Sequence, residues 1–582
     1  MSQYFLVTAG GTGMRCLQSF IQLCALGMFP KKNITILLME TDAENKDKAN
    51  AEQLLTWYKY LQGKAKAEEP KDKAIGAEEN KSNESSLIGD YFSANIDLCV
   101  FVPDYSRDDT RSFKVLSQVE RGDSEINHKL ANIFYEEGVQ EFDLGHGYRA
   151  QTHLGSYLMY HAVIQEVRQA MSDDLYKGKS ELYRFINKVQ TASAGEGARV
   201  FALGSTFGGT GASSIPIITR AITDSCKILT GDKISMEKIY YGAVVLSAYF
   251  KFPPPSDSHL KKDKIIANSI FFEHNSASAL MYYVNDGTIK KTYKRMYLLG
   301  WGGKGFIWNN TDDYKIEFLG KPKNASEKTA TGGKAQENPC HILELLGAFA
   351  AKHFFEEQTT PTSELPNIQE TQFRYKSFEL DGVGDNLMPK IEWEDLFSVQ
   401  KPAKQDTVNA VKIHDQMKDN FMGMVIFAGI INSAFDGKIT NFMSCLSAHG
   451  IKFELTEKEI ESIDAYLQYF YSSKSQQNDG VVPGWFKQLY LTFHSIKGEP
   501  GKMFLGIPEG VLSAGENGEK WYLALEGSSL DSKKAENLFI TQFLKTGTTG
   551  GNFSALMGAL RATTTAIGIK NELAEKLIET KK

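Results

Sequence analysis

The sequence predicts an α/β protein with a parallel β-sheet, followed by a mainly helical C-terminal region. Short apolar runs alternate with helical patterns over residues 1–360. The first run, at residues 4–8, ends at a glycine cluster at residues 10–13, and a helical pattern leads from there to a second buried run at 33–39. A strand, a glycine turn, a helix and another strand are how a parallel α/β sheet begins.

The alternation of strands and helices continues and then stops, which sets the predicted domains. Further strands are predicted at residues 96–102, 198–203, 239–246 and 294–299. One helix is predicted to start near Thr152, and another follows a second glycine cluster at residues 207–214. Two more helices are predicted at 265–283 and 339–355. Beyond Glu356 the alternation is lost. We therefore predict a first domain at residues 1–360, a connecting segment at 361–404, and a mainly helical domain at 405–582 with a hairpin-like stretch at 502–525.

Composition excludes several classes of protein. The chain has 582 residues, 42% of them hydrophobic, which is ordinary for a globular protein. Its net charge of -6 gives no sign of general nucleic-acid binding. No apolar run reaches the roughly 20 residues of a membrane span. The N-terminal sequence is expected to be a strand running into a loop, with no basic leader.

Cysteine spacing and one charged stretch complete the general picture. The six cysteines are scattered without a CxxC pair, which suits neither a zinc site nor a disulfide framework and favours a reducing, cytoplasmic location. Residues 63–86 are rich in Lys, Glu and Ala and nearly free of apolar anchors. Because such a stretch buries too little surface to order itself, we expect a mobile, dispensable insertion there.

The two glycine clusters are the main functional signal. A glycine-rich turn between a strand and a helix lets backbone N–H groups approach phosphate oxygens, at the positive end of the helix dipole. The first cluster is a poor dinucleotide fingerprint, because Cys16 stands where the third glycine belongs. The second is no Walker A sequence, because no Lys-Ser or Lys-Thr follows it. We therefore expect phosphate binding by backbone and hydroxyl groups.

These clusters and their surroundings resemble the tubulin/FtsZ family. ALGSTFGGTGASSIPIITRAI, residues 202–222, is similar to the family's signature loop, and VTAGGTGMR, residues 7–15, to its first phosphate loop. METDAEN (39–45), the loop at 145–150, FEHNSASALMYY (272–283) and ENPCHILELLGAF (337–349) follow in the family's order. The resemblance covers about residues 1–360 and implies a tubulin/FtsZ-type nucleotide-binding domain in a divergent prokaryotic tubulin-like protein.

The resemblance implies a GTP or GDP site with Mg²⁺. Residues at the first cluster would touch the α- and β-phosphates: Gly10, Gly11, Thr12 and Arg15. Residues at the second cluster would cradle the β- and γ-phosphates: Gly208, Gly209, Thr210, Gly211, Ala212 and Ser213. Asp42 would sit near the Mg²⁺ or its waters, and Asn275 and Asn338 would hydrogen-bond the purine edge. An amide offers a donor and an acceptor together, which suits guanine.

Several of these residues also have simpler interpretations. Asp42 follows a strand, where a carboxylate often caps a helix, and Asn275 lies on an otherwise polar helical face. Asn338 precedes Pro339, as a helix N-cap precedes a first-turn proline. Arg149, in the loop at 145–150, is either a γ-phosphate contact or a solvated loop arginine.

In tubulins and FtsZ the next subunit inserts an acidic loop that orients water at the γ-phosphate. The nearest match here is residues 390–396, KIEWEDL, with Glu392 and Asp395 in the acidic positions. Lys390 replaces the family's asparagine, and extra residues separate the stretch from the central helix. An acidic start of a surface helix would have the same sequence.

Three functions fit these observations. The first is a GTPase that self-associates head to tail, with each site completed between subunits. The second is a nucleotide-dependent switch or scaffold that does not polymerise and docks a protein partner through its C-terminal region. The third is a dinucleotide-dependent enzyme that uses the first cluster only, with Glu40 on the ribose.

Overall fold

The computed structural model describes most of the first half of the chain and selected parts of the rest. The described residues are 3–67, 91–119, 129–130, 132–145, 147–231, 238–250, 267–301, 340–356, 372–378, 424, 427–428, 431–432, 435–450, 452–474, 481–486, 488–489, 503–504, 507–508, 523–525, 528–530 and 550–551. Most of the predicted insertion at 63–86 and three predicted site residues, Asn338, Glu392 and Asp395, lie outside them.

The centre of the described chain is a seven-stranded sheet with every neighbouring pair parallel. Its strands are β1 (Gln3–Ala9), β2 (Asn33–Met39), β3 (Asn95–Phe101), β4 (Ala198–Ser205), β5 (Ile239–Leu246), β6 (Tyr293–Trp301) and β7 (Gln372–Phe378). Their order is β3-β2-β1-β4-β5-β6-β7. The α/β fold and the six predicted strands are confirmed. The seventh strand was not predicted from the sequence.

Helices connect the strands and cover both faces of the sheet. They are α1 (Gly10–Ala25), α2 (Lys46–Ala67), α3 (Phe113–Val119), α4 (Glu137–Glu141), α5 (Thr152–Ser172), α6 (Asp174–Lys177), α7 (Glu181–Ala194), α8 (Thr210–Thr230), α9 (Phe272–Asn285), α10 (Gly287–Thr292), α11 (Ile342–Glu356), α12 (Ile439–Ala448) and α13 (Glu457–Phe470). A short 3-10 helix, Ser269–Phe271, precedes α9.

Alternate residues of each central strand enter two different cores. In β1, Leu6 packs into the core beneath α1, α2 and α11, whereas Phe5 and Val7 pack into the core beneath α5, α7 and α8. Because successive side chains of a strand point to opposite faces, a sheet covered on both sides needs continuous apolar runs. This is why these strands were recognisable from the sequence.

Part of the C-terminal region packs into the first of these cores. Tyr466 and Phe470 of α13 and the following Trp485 are buried in the same cluster as Phe20 of α1 and Tyr58 of α2. Tyr466 also packs edge-on against Phe92, with ring centroids 5.1 Å apart. The described C-terminal helix α13 is therefore joined to the first domain by a common hydrophobic core.

The structure also revises element boundaries. Helix α1 begins at Gly10 and α8 at Thr210, so the first glycine cluster forms a first helical turn instead of a separate loop. The helix predicted from residue 265 begins as a 3-10 turn at Ser269, because the Asn268 side chain accepts a hydrogen bond from the Ile270 amide at 3.1 Å. Residues 63–67, predicted to be mobile, are the end of helix α2.

The C-terminal region contains short strands as well as helices. Antiparallel pairs join Ser472–Lys474 to Val481–Pro483, Met503–Phe504 to Ile507–Pro508, and Leu523–Leu525 to Ser528–Leu530. The predicted hairpin-like stretch at 502–525 is thus two separate strand pairs, and the second pair extends to Leu530.

No helix among the described residues is long and apolar enough to cross a membrane. All six cysteines are free thiols, and four of them are buried. Within the described parts of the chain, no group of three or more His, Cys, Asp or Glu side chains is placed to hold a metal ion.

Candidate functional site

The candidate site lies where the strand order reverses. The chain builds the sheet outward from β1 to β3, then returns so that β4 lies beside β1 and builds in the other direction. In open parallel sheets, ligands bind in the crevice outside the carboxyl ends of the strands at such a switch point. Both glycine clusters lie there, because one follows β1 and the other follows β4.

The two clusters meet backbone to backbone. Gly10 has φ +71°, and a Cβ atom there would lie 2.8 Å from the amide nitrogen of Gly211. A Cβ on Gly211 would lie 3.0 Å from the carbonyl oxygen of Ala9, and one on Gly13 would lie 2.7 Å from the carbonyl oxygen of Leu203. Side chains at these positions would push the loops apart, so the glycines are required for the close approach.

Three helices begin at this crevice without a side-chain cap. The N-cap residues of α1, α5 and α8 are Ala9, Gln151 and Gly209, and none accepts a capping hydrogen bond from its helix. The first N–H groups of a helix have no partner inside it, and the helix dipole places partial positive charge at the same end. The arrangement suits an anion such as a phosphate group.

A third loop closes against the second glycine cluster. A Cβ on Gly209 would lie 3.0 Å from the amide nitrogens of both Arg149 and Ala150. These two residues have φ of +46° and +65°, in the left-handed region that non-glycine residues rarely adopt. Consecutive residues of this kind persist only where the surroundings hold them, typically at functional sites. Nothing in the residue types of this loop indicates that conformation.

Glu40, at the carboxyl end of β2, links the loops around the crevice. Its carboxylate accepts hydrogen bonds from the Thr41 amide (2.8 Å), the Thr210 hydroxyl (3.0 Å) and the Asn45 side chain (3.2 Å). Burial raises the pKa of Glu40 to about 7, against the hydrogen bonds from Thr41 and Thr210, which lower it. In the sequence analysis Glu40 had a role only in the dinucleotide alternative, as a ribose contact. Its position directly after a strand was the available signal.

Two hydroxyl groups that were expected to touch phosphate are engaged within the protein. The Thr210 hydroxyl donates to Glu40 and lies 2.8 Å from the Thr41 hydroxyl. The Ser213 hydroxyl donates to the carbonyl of Thr152, at the start of α5, at 3.2 Å. Backbone N–H groups are therefore the donors that the second cluster has to offer an anion in this conformation.

Arg15 lies inside the protein, one turn below the first cluster. Its Nε donates to the Glu344 carboxylate of α11 at 2.7 Å, and a second guanidinium nitrogen forms an ion pair with the same carboxylate. Tyr249 also donates to Glu344, at 2.7 Å, and Asp47 lies 4.0 Å from the guanidinium. The Arg15 side chain is 6% exposed, so the structure places it between α1, α2 and α11.

Asp42 and Asn275 both lie beside the loops. Asp42 is buried and accepts a hydrogen bond from the Glu44 amide at 3.1 Å. Asn275 is half-buried, and its amide donates to the carbonyl of Phe207, the residue before Gly208, at 3.5 Å. The structure thus brings the predicted residues of both clusters other than Arg15, together with Asp42 and Asn275, to one end of the sheet, whereas the guanidinium of Arg15 is turned to Glu344.

Comparisons with protein-family models, with curated proteins and with solved structures find no match to this chain.

Proposed function

We propose that this chain binds a guanine nucleotide, with its phosphates at the glycine clusters after β1 and β4, in a tubulin/FtsZ-type domain. The observation that carries the proposal is the meeting of two uncapped helix N-termini, α1 and α8, at the switch point of the sheet. Glycines that served only as tight turns would not need to bring the two loops together. Here the backbones at Gly10 and Gly211 approach so closely that neither position has room for a side chain. The contact leaves two sets of N–H groups to face one anion.

The phosphates are bound mainly by backbone N–H groups of the two clusters, and Arg15 supports α1 from below through Glu344. Mg²⁺ is commonly held by one or two carboxylates together with substrate phosphates and water. Asp42 fits that requirement as a single carboxylate beside the loops. When bound, the cation offsets phosphate charge, and the protein's part is to hold Asp42 in place through the Glu44 amide.

A dinucleotide enzyme fits the structure less well. The strand order itself does not decide, because dinucleotide-binding folds share the order 3-2-1-4-5-6. Both oxygens of the Glu40 carboxylate, however, already accept hydrogen bonds from the protein, Oε1 from Thr41 and Thr210 and Oε2 from Asn45. These bonds occupy the acceptor positions that a ribose hydroxyl would use, so Glu40 favours the first proposal.

Binding titrations test the ligand class. We expect calorimetry to show GTP or GDP binding in preference to ATP and NAD, and Asn275→Ala to reduce the preference for guanine because the purine edge loses a polar partner. Asn285→Ala is a matched control, because Asn285 lies on the same helix and donates only to the Met281 carbonyl at 2.9 Å. NAD binding without guanine nucleotide binding would contradict the proposal.

Hydrolysis in a head-to-tail assembly is the further part of the proposal, with Glu392 and Asp395 acting on a neighbour's nucleotide. A site shared between subunits makes activity per protein rise with concentration. Glu392→Ala or Asp395→Ala would retain binding and lose turnover, and mixing with a Gly209 variant would restore part of it. Turnover that does not depend on concentration would argue against a shared site.

A switch that does not polymerise is the second candidate, and one observation favours it. Helix α1 begins at the candidate site, and residues of the C-terminal region form hydrogen bonds with its later turns. Tyr466 donates to Gln22 at 2.7 Å, and the Trp485 indole donates to Ser19 at 3.2 Å. A ligand that shifts α1 would act directly on these contacts. Nucleotide-dependent changes in hydrogen exchange of α13, in a protein that stays monomeric, would support this candidate.

A further inference from the structure

We infer that Glu40 is a positioning residue of the proposed nucleotide site. Its carboxylate holds the loop after β2 against the first residue of α8 in the absence of a ligand. The inference rests on the proposed function, because it assigns the role of one residue at that site. The residue types around Glu40 resemble an ordinary strand end. The structure alone shows that its side chain reaches a residue 170 positions away.

The carboxylate of Glu40 joins two elements that no backbone pairing holds together at this point. Oε1 accepts from the Thr41 amide and from the Thr210 hydroxyl, and Oε2 accepts from the Asn45 amide group at 3.2 Å. The Asp42 amide lies 3.4 Å from Oε1. The loop that carries Asp42 is thus folded around one carboxylate, and that carboxylate is anchored on Thr210.

The number of donors and acceptors around Glu40 determines which hydroxyl group donates in each hydrogen bond. Burial raises the pKa of Glu40 to about 7, so its carboxylate is ionised above that pH. Backbone and amide N–H groups only donate, so the ionised carboxylate is then the acceptor for all its partners. Thr210 has a single hydroxyl proton and gives it to Glu40. In the Thr41–Thr210 contact at 2.8 Å, Thr41 is then the donor. Both threonine hydroxyls are engaged, so hydrogen bonds hold the Thr210 side chain, at the start of α8, to the loop after β2.

The hydrogen bonds of Glu40 have a consequence for ligand binding. Thr210 is the first residue of α8, whose N-cap residue, Gly209, makes no side-chain capping hydrogen bond. Holding it in place avoids an ordering step on binding, and preorganisation of this kind strengthens affinity without adding a contact. Because the second cluster is proposed to cradle the β- and γ-phosphates, the benefit applies to ligands that carry those phosphates.

The test compares GTP with GMP on Glu40→Ala and Glu40→Gln. Loss of a charged hydrogen-bond partner typically changes an equilibrium about 10-fold to 100-fold, and we expect GTP affinity to fall by that amount in Glu40→Ala while GMP affinity stays unchanged. Glu40→Gln keeps one oxygen acceptor and should recover much of the loss. Glu166→Ala is a matched control, because Glu166 is likewise a carboxylate that accepts hydroxyl hydrogen bonds, from Tyr176 and Ser180, away from the site.

A double variant separates positioning from a general loss of structure. Thr210→Val removes the hydroxyl and keeps the side-chain shape, so it should weaken GTP binding. Glu40→Ala should then cost less affinity in the Thr210→Val background than in the unmodified protein, because the Glu40–Thr210 hydrogen bond is common to both variants. Additive effects, or equal losses for GTP and GMP, would overturn the inference. If the unmodified protein binds no guanine nucleotide, the proposed function fails instead, and the two results are therefore distinguishable.

Discussion

The contact between the two glycine clusters gives the sharpest prediction, through the substitution Gly10→Ala. At φ +71° a residue with a Cβ atom is strained, by roughly 1–2 kcal/mol. The new Cβ would also lie 2.8 Å from the Gly211 amide nitrogen, a backbone atom that cannot swing away as a flexible side chain can. Overpacking of this kind typically adds about 1–3 kcal/mol. We therefore expect Gly10→Ala to destabilise the protein by roughly 2–5 kcal/mol.

Gly231→Ala is the control that isolates the clash. Gly231 ends α8 in the left-handed conformation, with φ +59°, and no described atom lies within 4 Å of a Cβ built on it. It should lose only the backbone contribution, about 1–2 kcal/mol. The difference between the two variants is therefore the contribution of the contact with Gly211.

Two measurements compare these variants. Chemical denaturation gives the free energy of unfolding of each variant, and calorimetric titration gives its affinity for GTP. We expect Gly10→Ala to lose both stability and nucleotide binding, and Gly231→Ala to keep wild-type affinity. If Gly10→Ala matches Gly231→Ala in stability and binds GTP normally, the clusters do not need their close approach, and the reasoning about the site is wrong.

Three further predictions concern other parts of the chain. Tyr466→Phe should destabilise the protein by about 1–3 kcal/mol in denaturation, because the buried Gln22 oxygen loses its donor, and an unchanged midpoint would show that this contact is unimportant. The contribution of Glu40 to the free energy of unfolding should fall as pH rises from about 4.5 to about 7, because burial raises its pKa from 4.5 to about 7 and the folded chain holds a proton that the unfolded chain has lost. Glu40→Gln should flatten that slope in denaturation at several pH values, and a slope unchanged by the substitution would exclude Glu40 as its source. Deleting residues 68–86 should leave nucleotide binding and the unfolding midpoint intact, and loss of folding would contradict the prediction of a dispensable insertion.

The structure also connects the candidate site to the C-terminal region through a single helix. The first turn of α1 carries the glycine cluster, its second turn carries Arg15, and its later turns carry Gln18, Ser19 and Gln22. Tyr469 of α13 hydrogen-bonds to Gln18, while Gln18 donates to the Asp47 carbonyl at 3.3 Å. The polar face of α1 is thus buried by hydrogen-bonding aromatic residues from the far end of the sequence. The predicted C-terminal domain therefore helps to hold α1, the helix that carries the first glycine cluster, in position.

The sequence by itself determined the local elements. Residues 33–39 form a strand because a continuous apolar run is what a sheet buried on both faces requires, and the strand is observed as Asn33–Met39. The glycine clusters were recognisable because a tight approach of backbone to ligand or to backbone needs a residue without a Cβ atom. Both signals depend on residues close together in the chain, and they are readable without knowing what packs against them.

Only the tertiary structure decided how these elements meet. Gly10 touches Gly211, Glu40 binds Thr210, and Arg15 pairs with Glu344, a residue 329 positions later. The resemblance to the tubulin/FtsZ family implied a phosphate contact for Arg15, and the dinucleotide alternative placed Glu40 on the ribose. A charged side chain near a loop has the same sequence pattern whether it faces a ligand or a buried partner. The direction it takes depends on which helix or strand is packed beside it, and that is set by contacts between distant parts of the chain.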